Sequence, residues 1–316
     1  FEVMVVNILV LIISLVALVY AADYFVSGAV SIAKTIGVSS LVIGLTIVGL
    51  GTSAPEILVS GISSLQGNAG LAVGNALGSN IANIGMVLGI TAIIAPIAMP
   101  SGIIKRELPI LMVISIACYL LAFDGLGQID GVMMLMTLVV FIGWLIKSSR
   151  GNEHTDDFSD EFDSDMTARK AWIVFFLGLL GLLVSSKLLV WSAVNIAQYF
   201  GISDLVIGLS VVAVGTSLPE LAASVMSVIK KEGDLALGNI IGSNIYNLLA
   251  VYSLPGLLAP NLLDQNVLYR DFPVMLFLTG VLFVFGYKFF KKTGSISRLE
   301  GVMLMCFYAG YQWVIF

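Results

Sequence analysis

Apolar residues in this chain run in long blocks, broken by short clusters of charged and turn-forming residues. Ten blocks can be read, at 3–22, 39–65, 69–95, 106–123, 129–147, 171–190, 203–229, 235–258, 270–290 and 298–316. Each approaches or exceeds the roughly 20 apolar residues that carry a helix across about 30 Å of hydrocarbon. Backbone in hydrocarbon must satisfy its own hydrogen bonds, which helices do within one segment. The pattern therefore predicts an all-α integral membrane protein with ten transmembrane helices. The first block, Val3 to Ala22, lacks the basic leader of a signal peptide. It also has an internal counterpart at Ala171 to Val190, so it is expected to be a membrane span.

That counterpart is part of a repeat. Residues 33–56 read AKTIGVSSLVIGLTIVGLGTSAPE and residues 197–220 read AQYFGISDLVIGLSVVAVGTSLPE, identical at 14 of 24 positions with a constant offset of 164. The offset persists from Leu71–Asn83 (LAVGNALGSNIAN) to Leu235–Asn247 (LALGNIIGSNIYN), and in the pairs Pro96/Pro260, Arg106/Arg270 and Pro109/Pro273. Five spans per half is an odd number, so the halves enter the membrane from opposite sides as inverted five-helix repeats. Transporters use that geometry to build one midplane site that opens alternately to either face. The expected organisation is a first repeat at 1–147, an acidic loop at 148–170 and a second, inverted repeat at 171–316.

Composition and charge add orientation. Charged residues make up only 11% of the 316, against roughly 25% in soluble domains. Thirteen of the fifteen Lys and Arg residues fall in connections after odd-numbered spans; Lys187 and Arg270 are the others. Basic residues concentrate on the cytoplasmic side, which predicts extracytoplasmic termini, a cytoplasmic central loop and residence in the cell membrane. The net charge of −5 comes largely from that loop and gives no reason to expect nucleic acid. Cys118 and Cys306 sit inside apolar spans and read as buried free thiols.

The candidate chemistry lies in four segments: Gly51–Glu56 (GTSAPE), Gly215–Glu220 (GTSLPE), Gly74–Asn83 and Gly238–Asn247. Glu56 and Glu220 fall inside apolar spans, where a carboxylate costs about 2.5–3.5 kcal/mol and marks a functional site by default. Pro55 and Pro219 lack an N–H, which frees the carbonyls of Gly51 and Gly215. Thr52 and Glu56 are four apart, as are Thr216 and Glu220, Ser79 and Asn83, and Ser243 and Asn247, so each pair shares a helix face. The outcome is a cage of carboxylate, hydroxyl, amide and carbonyl oxygens. The only histidine, His154, lies in the loop. All-oxygen cages suit hard cations, and two glutamates balance one Ca²⁺ or are shared among Na⁺ or protons. Gly74, Gly78, Gly238 and Gly242 are spaced for close helix approach. Asn75, Asn80, Asn239 and Asn244 read either as ligands or as clamps between helices.

These motifs resemble the α-1 and α-2 repeats of Na⁺/Ca²⁺ exchangers, within the calcium/cation antiporters, and most closely the short prokaryotic members. The resemblance covers essentially the whole chain. It implies an electrogenic antiporter with Ca²⁺ and Na⁺ as substrates, no cofactor and no enzymatic activity, able to work as a monomer in membrane lipid. It carries the family's ligands onto Thr52, Ser53, Glu56, Ser79 and Asn83, and onto Thr216, Ser217, Glu220, Ser243 and Asn247, with backbone carbonyls at Gly49 and Ala213. It also makes the first and sixth spans the helices that slide to switch access. One position departs: many exchangers carry Asp where this chain has Asn247, leaving two carboxylates in the cage and opening the ion stoichiometry.

Two other antiport readings share the scaffold, one H⁺/Ca²⁺ and one K⁺-dependent. A cation channel is a remoter reading, because channels close a pore around an oligomer axis. The seven carboxylates between Gly151 and Asp165 lack the glycine-centred pattern of an EF-hand and read as a solvated linker. Asp23 and Lys187, at equivalent repeat positions, are expected to pair or to snorkel.

Overall fold

The computed structural model describes residues 2–99, 101–149, 166–201, 213–260, 262–286 and 294–315. The acidic run at 153–165 with His154, the start of the seventh block and the basic cluster at 288–292 lie outside the described residues. Within them the protein is predominantly helical. Six helices are long and apolar enough to cross a membrane, seven if the bent pair Ser40–Thr52 and Ala54–Leu65 counts as one.

The helices sort by burial. In Gly233–Leu258 the most apolar window is 100% buried and in Ala69–Ile94 78%, whereas in the first long helix the figure is 22% and in Ala168–Tyr199 28%. The eighth and third apolar blocks therefore form the centre of the molecule. The first and sixth turn a wall of Val6, Leu9, Ile13, Val16, Phe176 and Leu180 outward, a surface that only hydrocarbon would solvate well.

Those two outer helices are longer than the apolar blocks suggested, Glu2–Ile36 and Ala168–Tyr199. Asp23, Ser27, Ser31 and Lys34 mark no boundary. The Ser31 and Thr35 hydroxyls bond back to the carbonyls four residues earlier, so these side chains continue the helix. At about 1.5 Å per residue each helix outruns the hydrocarbon thickness and must tilt or protrude. They cross antiparallel. A Cβ on Gly28 would meet the Phe175 backbone and one on Gly178 the Phe25 backbone, and the two rings stack at 4.8 Å between centroids. Rising numbers on one helix thus meet falling numbers on the other, and the glycines let the backbones approach. Asp23 pairs with Lys230 at 2.7 Å, a partner outside the two readings, pairing with Lys187 or snorkelling, that the sequence offered.

Not everything is helical. Strand β1 (Ile97–Met99) pairs antiparallel with strand β2 (Gly294–Ile296), Ile97 opposite Ile296, a local exception to the all-α expectation. Arg298 adds a bond to the Ile94 carbonyl beside it.

Candidate functional site

Both GTSxPE motifs break their helix. Gly49–Thr52 ends at Ser53 (φ −80°, ψ 4°) and Ala54–Leu65 begins after it, with Pro55 in its first turn. The second motif repeats this, Ala213–Thr216 ending before Ser217 (φ −88°, ψ 6°) and Leu218–Ile229 following. The break thus falls at the serines, and each proline occupies the first turn of the next helix, where its missing N–H costs nothing. The axis bends 44° in the first motif. The Gly215 carbonyl, released from Pro219, accepts a bond from the Ser186 hydroxyl at 3.1 Å.

The helices facing these breaks carry their own irregularity. Ala69–Ala82 passes into a π-helical stretch at Asn83–Leu88, and Gly233–Tyr246 into one at Asn247–Val251. Each stretch starts at a candidate amide ligand. π-Turns inside helices are frequent at functional sites, and nothing in the composition announced them.

Glu56 and Glu220 are both 1% exposed, and Thr52, Ser53, Asn83, Ser217, Ser243, Asn247 and Ser79 are buried with them. The acids lie close enough to feel one another's charge, with Ser79 beside Glu56. The Thr52 hydroxyl donates to Asn239 Oδ1 at 3.0 Å and lies 3.3 Å from Ser243 Oγ. The Ser243 hydroxyl in turn donates to the Gly49 carbonyl at 3.4 Å, and Ser53 reaches Glu220 Oε1 at a long 3.5 Å. Gly49, Thr52 and Ser243, from the two halves, therefore share one polar cluster. Thr216 is half-buried at the end of Ala213–Thr216, and Ala213 opens that helix.

The asparagines divide the work. Asn75 Nδ2 donates to the Glu56 carbonyl (3.1 Å) and Ser60 Oγ (3.0 Å); Asn239 Nδ2 donates to the Glu220 carbonyl (3.3 Å) and Ser224 Oγ (2.9 Å). Every partner is offset by 164 residues, and both amides clamp the helix that carries the acid. Asn80 donates to the Asn244 carbonyl at 3.2 Å and joins the halves directly. Of the spaced glycines, Gly238 and Gly242 lie against the backbone of Leu41–Leu45. Among the described residues nothing comes within 4 Å of a Cβ on Gly74 or Gly78; the repeat counterpart of Leu41–Leu45 falls at 205–209, outside them.

The decisive feature of the geometry is what stays unbonded. Among the described residues, both oxygens of Glu56, Glu220 Oε2, Ser217 Oγ and both amide atoms of Asn83 and of Asn247 are buried without a hydrogen-bond partner. Buried polar atoms are almost always paired. At about 1 kcal/mol or more each, this set would consume much of a fold's roughly 5–15 kcal/mol of stability. Oxygens held this way are suited to a desolvated cation.

A family model described as sodium/calcium exchanger protein matches residues 6–147 and 170–316. The chain belongs to the sodium/calcium exchanger family. This exchanger is thus a transporter and a multi-pass membrane protein. CaxA of Alkalimonas amylolytica, named as an antiporter, is 44% identical to it over 311 residues, covering 96% of this chain and 97% of its own. The sodium/calcium exchanger MaX1 of Methanosarcina acetivorans is 33% identical, covering 98% and 99%. A solved structure of the sodium-calcium exchanger NCX_Mj, soaked with zero Na⁺ and Ca²⁺, aligns with a TM-score of 0.86 at 32% identity, covering 99% of this chain and all of that one.

Proposed function

We propose that this exchanger moves Na⁺ against Ca²⁺ by alternating access to one cage built from Thr52, Ser53, Glu56, Ser79, Asn83 and the Gly49 carbonyl with Thr216, Ser217, Glu220, Ser243, Asn247 and the Ala213 carbonyl. The carrying observation is the set of buried oxygens on Glu56, Glu220, Asn83 and Asn247 that find no partner among the described residues. Two carboxylates neutralise one Ca²⁺, while hydroxyls and amides complete the six to eight oxygens that Ca²⁺ accepts. A site so neutralised crosses low dielectric at far lower cost than a bare pair of carboxylates. Flux of one ion is then tied to return of the other.

The surrounding architecture in this reading is ten spans in two inverted halves, 1–147 and 171–316, joined by a cytoplasmic loop at 148–170, with both termini extracytoplasmic and the monomer as the working unit. Matching Asn75 and Asn239 clamps support equivalent folding of the halves. Access from one side is supported by a difference between them: Asn239 and Thr52 are fully buried, whereas Asn75 and Thr216 are partly exposed. The first and sixth helices, which form most of a second apolar cluster that also takes in Ile43, Val48, Ala223 and Leu235, are the moving elements.

The test is flux in proteoliposomes with Na⁺, H⁺ and K⁺ gradients varied one at a time. Ca²⁺ uptake driven by an outward Na⁺ gradient, without K⁺ and at equal pH, is the expected result. Uptake driven by a pH gradient alone, or only with K⁺ present, would move the chain to the corresponding antiport. Ohmic single-channel currents would make it a channel.

A further inference from the structure

Two turns are repeat counterparts, Gln66–Gly67–Asn68 between the second and third apolar blocks and Lys230–Lys231–Glu232 between the seventh and eighth. They share one backbone. The amides of Gln66, Gly67 and Asn68 donate to the carbonyls of Ile62, Ser64 and Ser63. Those of Lys230, Lys231 and Glu232 donate to Met226, Val228 and Ser227, every partner offset by 164. Gly67 and Lys231 both adopt positive φ, 79° and 64°, which glycine accepts freely and lysine only under strain. The turns therefore differ in their side chains, and only the second carries charge.

Those charges reach other elements. Asn68 Oδ1 accepts from the Leu71 amide at 3.2 Å and so caps its own helix. Glu232, at the equivalent position, is buried and accepts from the Ser40 hydroxyl at 2.9 Å, at the start of the helical run that leads to Glu56. Two residues earlier, Lys230 Nζ lies 2.7 Å from Asp23 on the first helix. Glu232 thus fastens the turn to an acid-bearing span, and Lys230 fastens it to the first helix. Lys230 and Glu232 are drawn in, whereas Gln66, Gly67 and Asn68 are all exposed. Lys187 occupies the repeat position of Asp23, and Gln66, in the place of Lys230, offers it no charge.

We propose that the Asp23–Lys230 ion pair is a one-sided latch, holding the exchanger in the access state closed at the Lys230–Glu232 turn. The inference rests on the alternating-access reading, in which the first and sixth helices move against the rest. Apolar side chains sliding past one another trade similar contacts, because their attraction is non-directional. A charged contact across the sliding boundary then decides which position is preferred. In the inverted arrangement the opposite state brings Lys187 toward Gln66, where no ion pair forms. The two states are therefore unequal. Asp23 is 45% exposed and Lys230 16%, so water screens the pair and the bias is modest, about threefold in the ratio of the states. Salt weakens it further.

The test uses the full chain in lipid nanodiscs, with Cys118→Ala and Cys306→Ala. Spin labels are attached at Val16→Cys on the first helix and Leu65→Cys at the end of helix Ala54–Leu65, both exposed positions. Pulsed dipolar spectroscopy reads the label separations of the two states and their shares. Asp23→Asn and Lys230→Gln should each lower the share of the latched state, about threefold in the ratio. The exchanged pair, Asp23→Lys with Lys230→Asp, should restore it. Lys187→Gln, which removes the cation at the equivalent position, should change nothing. Molar salt should bring the unsubstituted latch to the Asp23→Asn ratio. Equal ratios with and without Asp23→Asn would overturn the latch. So would an exchanged pair that restores nothing, or one fixed separation in every variant. Na⁺-driven Ca²⁺ flux through the same labelled chains keeps the two readings apart. Flux present beside any of those outcomes sinks the latch alone; flux absent with the latch intact sinks the antiport reading and the latch with it.

Discussion

The Thr52 hydroxyl donates to the Asn239 side-chain oxygen at 3.0 Å, across 187 residues and between the two halves. Asn239 is thereby fully engaged: its oxygen holds the first GTSxPE break and its nitrogen holds the Glu220 helix. One amide couples the two acid-bearing elements.

Removing that amide should destabilise more than removing the hydroxyl. Asn239→Leu leaves the Ser224 hydroxyl, the Glu220 carbonyl and Thr52 without their partner, at a cost of about 1–3 kcal/mol; Thr52→Val should cost about 1 kcal/mol. Thermal unfolding of the single and double variants in detergent checks this. The expected outcome is a non-additive double, with coupling of roughly 0.5–1.5 kcal/mol; strict additivity would mean the bond is not made.

Glu56→Gln and Glu220→Gln should each abolish Na⁺-driven uptake of radioactive Ca²⁺. Both should fold, and should unfold at the wild-type temperature or above, because a neutral amide relieves the repulsion between two buried acids. Undiminished uptake in both variants would refute the cage.

Asn247→Asp adds a third carboxylate. With two acids a Ca²⁺ load is neutral and a larger Na⁺ load is positive, so voltage acts on the Na⁺ limb. With three acids the Ca²⁺ load carries negative charge, and voltage dependence should pass to the Ca²⁺ limb. Electrical recording of each half-reaction on supported membranes would detect the exchange of limbs; an unchanged profile would remove Asn247 from the cage.

Gly242→Ala should be severe. Its Cβ would fall 2.9 Å from the Leu45 Cα and carbonyl oxygen, and backbone cannot yield as a flexible side chain can, so a loss of about 1–3 kcal/mol is expected. Gly70→Ala is the control. It is exposed near the start of helix Ala69–Ala82, with nothing within 4 Å of its Cβ among the described residues, and should gain up to about 1 kcal/mol. Unfolding temperatures of the two variants decide.

Much of this was legible before any coordinates. The repeat and the GTSxPE motifs located the acids, because a carboxylate in an apolar run needs a reason and a proline beside it exposes backbone. The π-turns at Asn83 and Asn247 were not legible: inserting a residue into a turn is decided by packing between helices, and no residue type signals it. Helix length misled for the same reason. Asp23 and Lys34 look like an end on a hydropathy scale, yet Asp23 is neutralised by Lys230, a partner more than 200 residues away in sequence. Asn75 and Asn239 were left between ligand and clamp, since an amide serves either purpose and only its neighbours decide.

The crossing of the two outer helices carries a mechanical corollary. The Phe25 backbone abuts Gly178 while the Phe175 backbone abuts Gly28, so each helix presses its main chain into a notch in the other. Sliding one alone would carry main chain out of its notch and against the adjoining side chains, and would unstack the two rings. The pair is geared, and whatever displaces one helix must carry its mate along as a single shuttle.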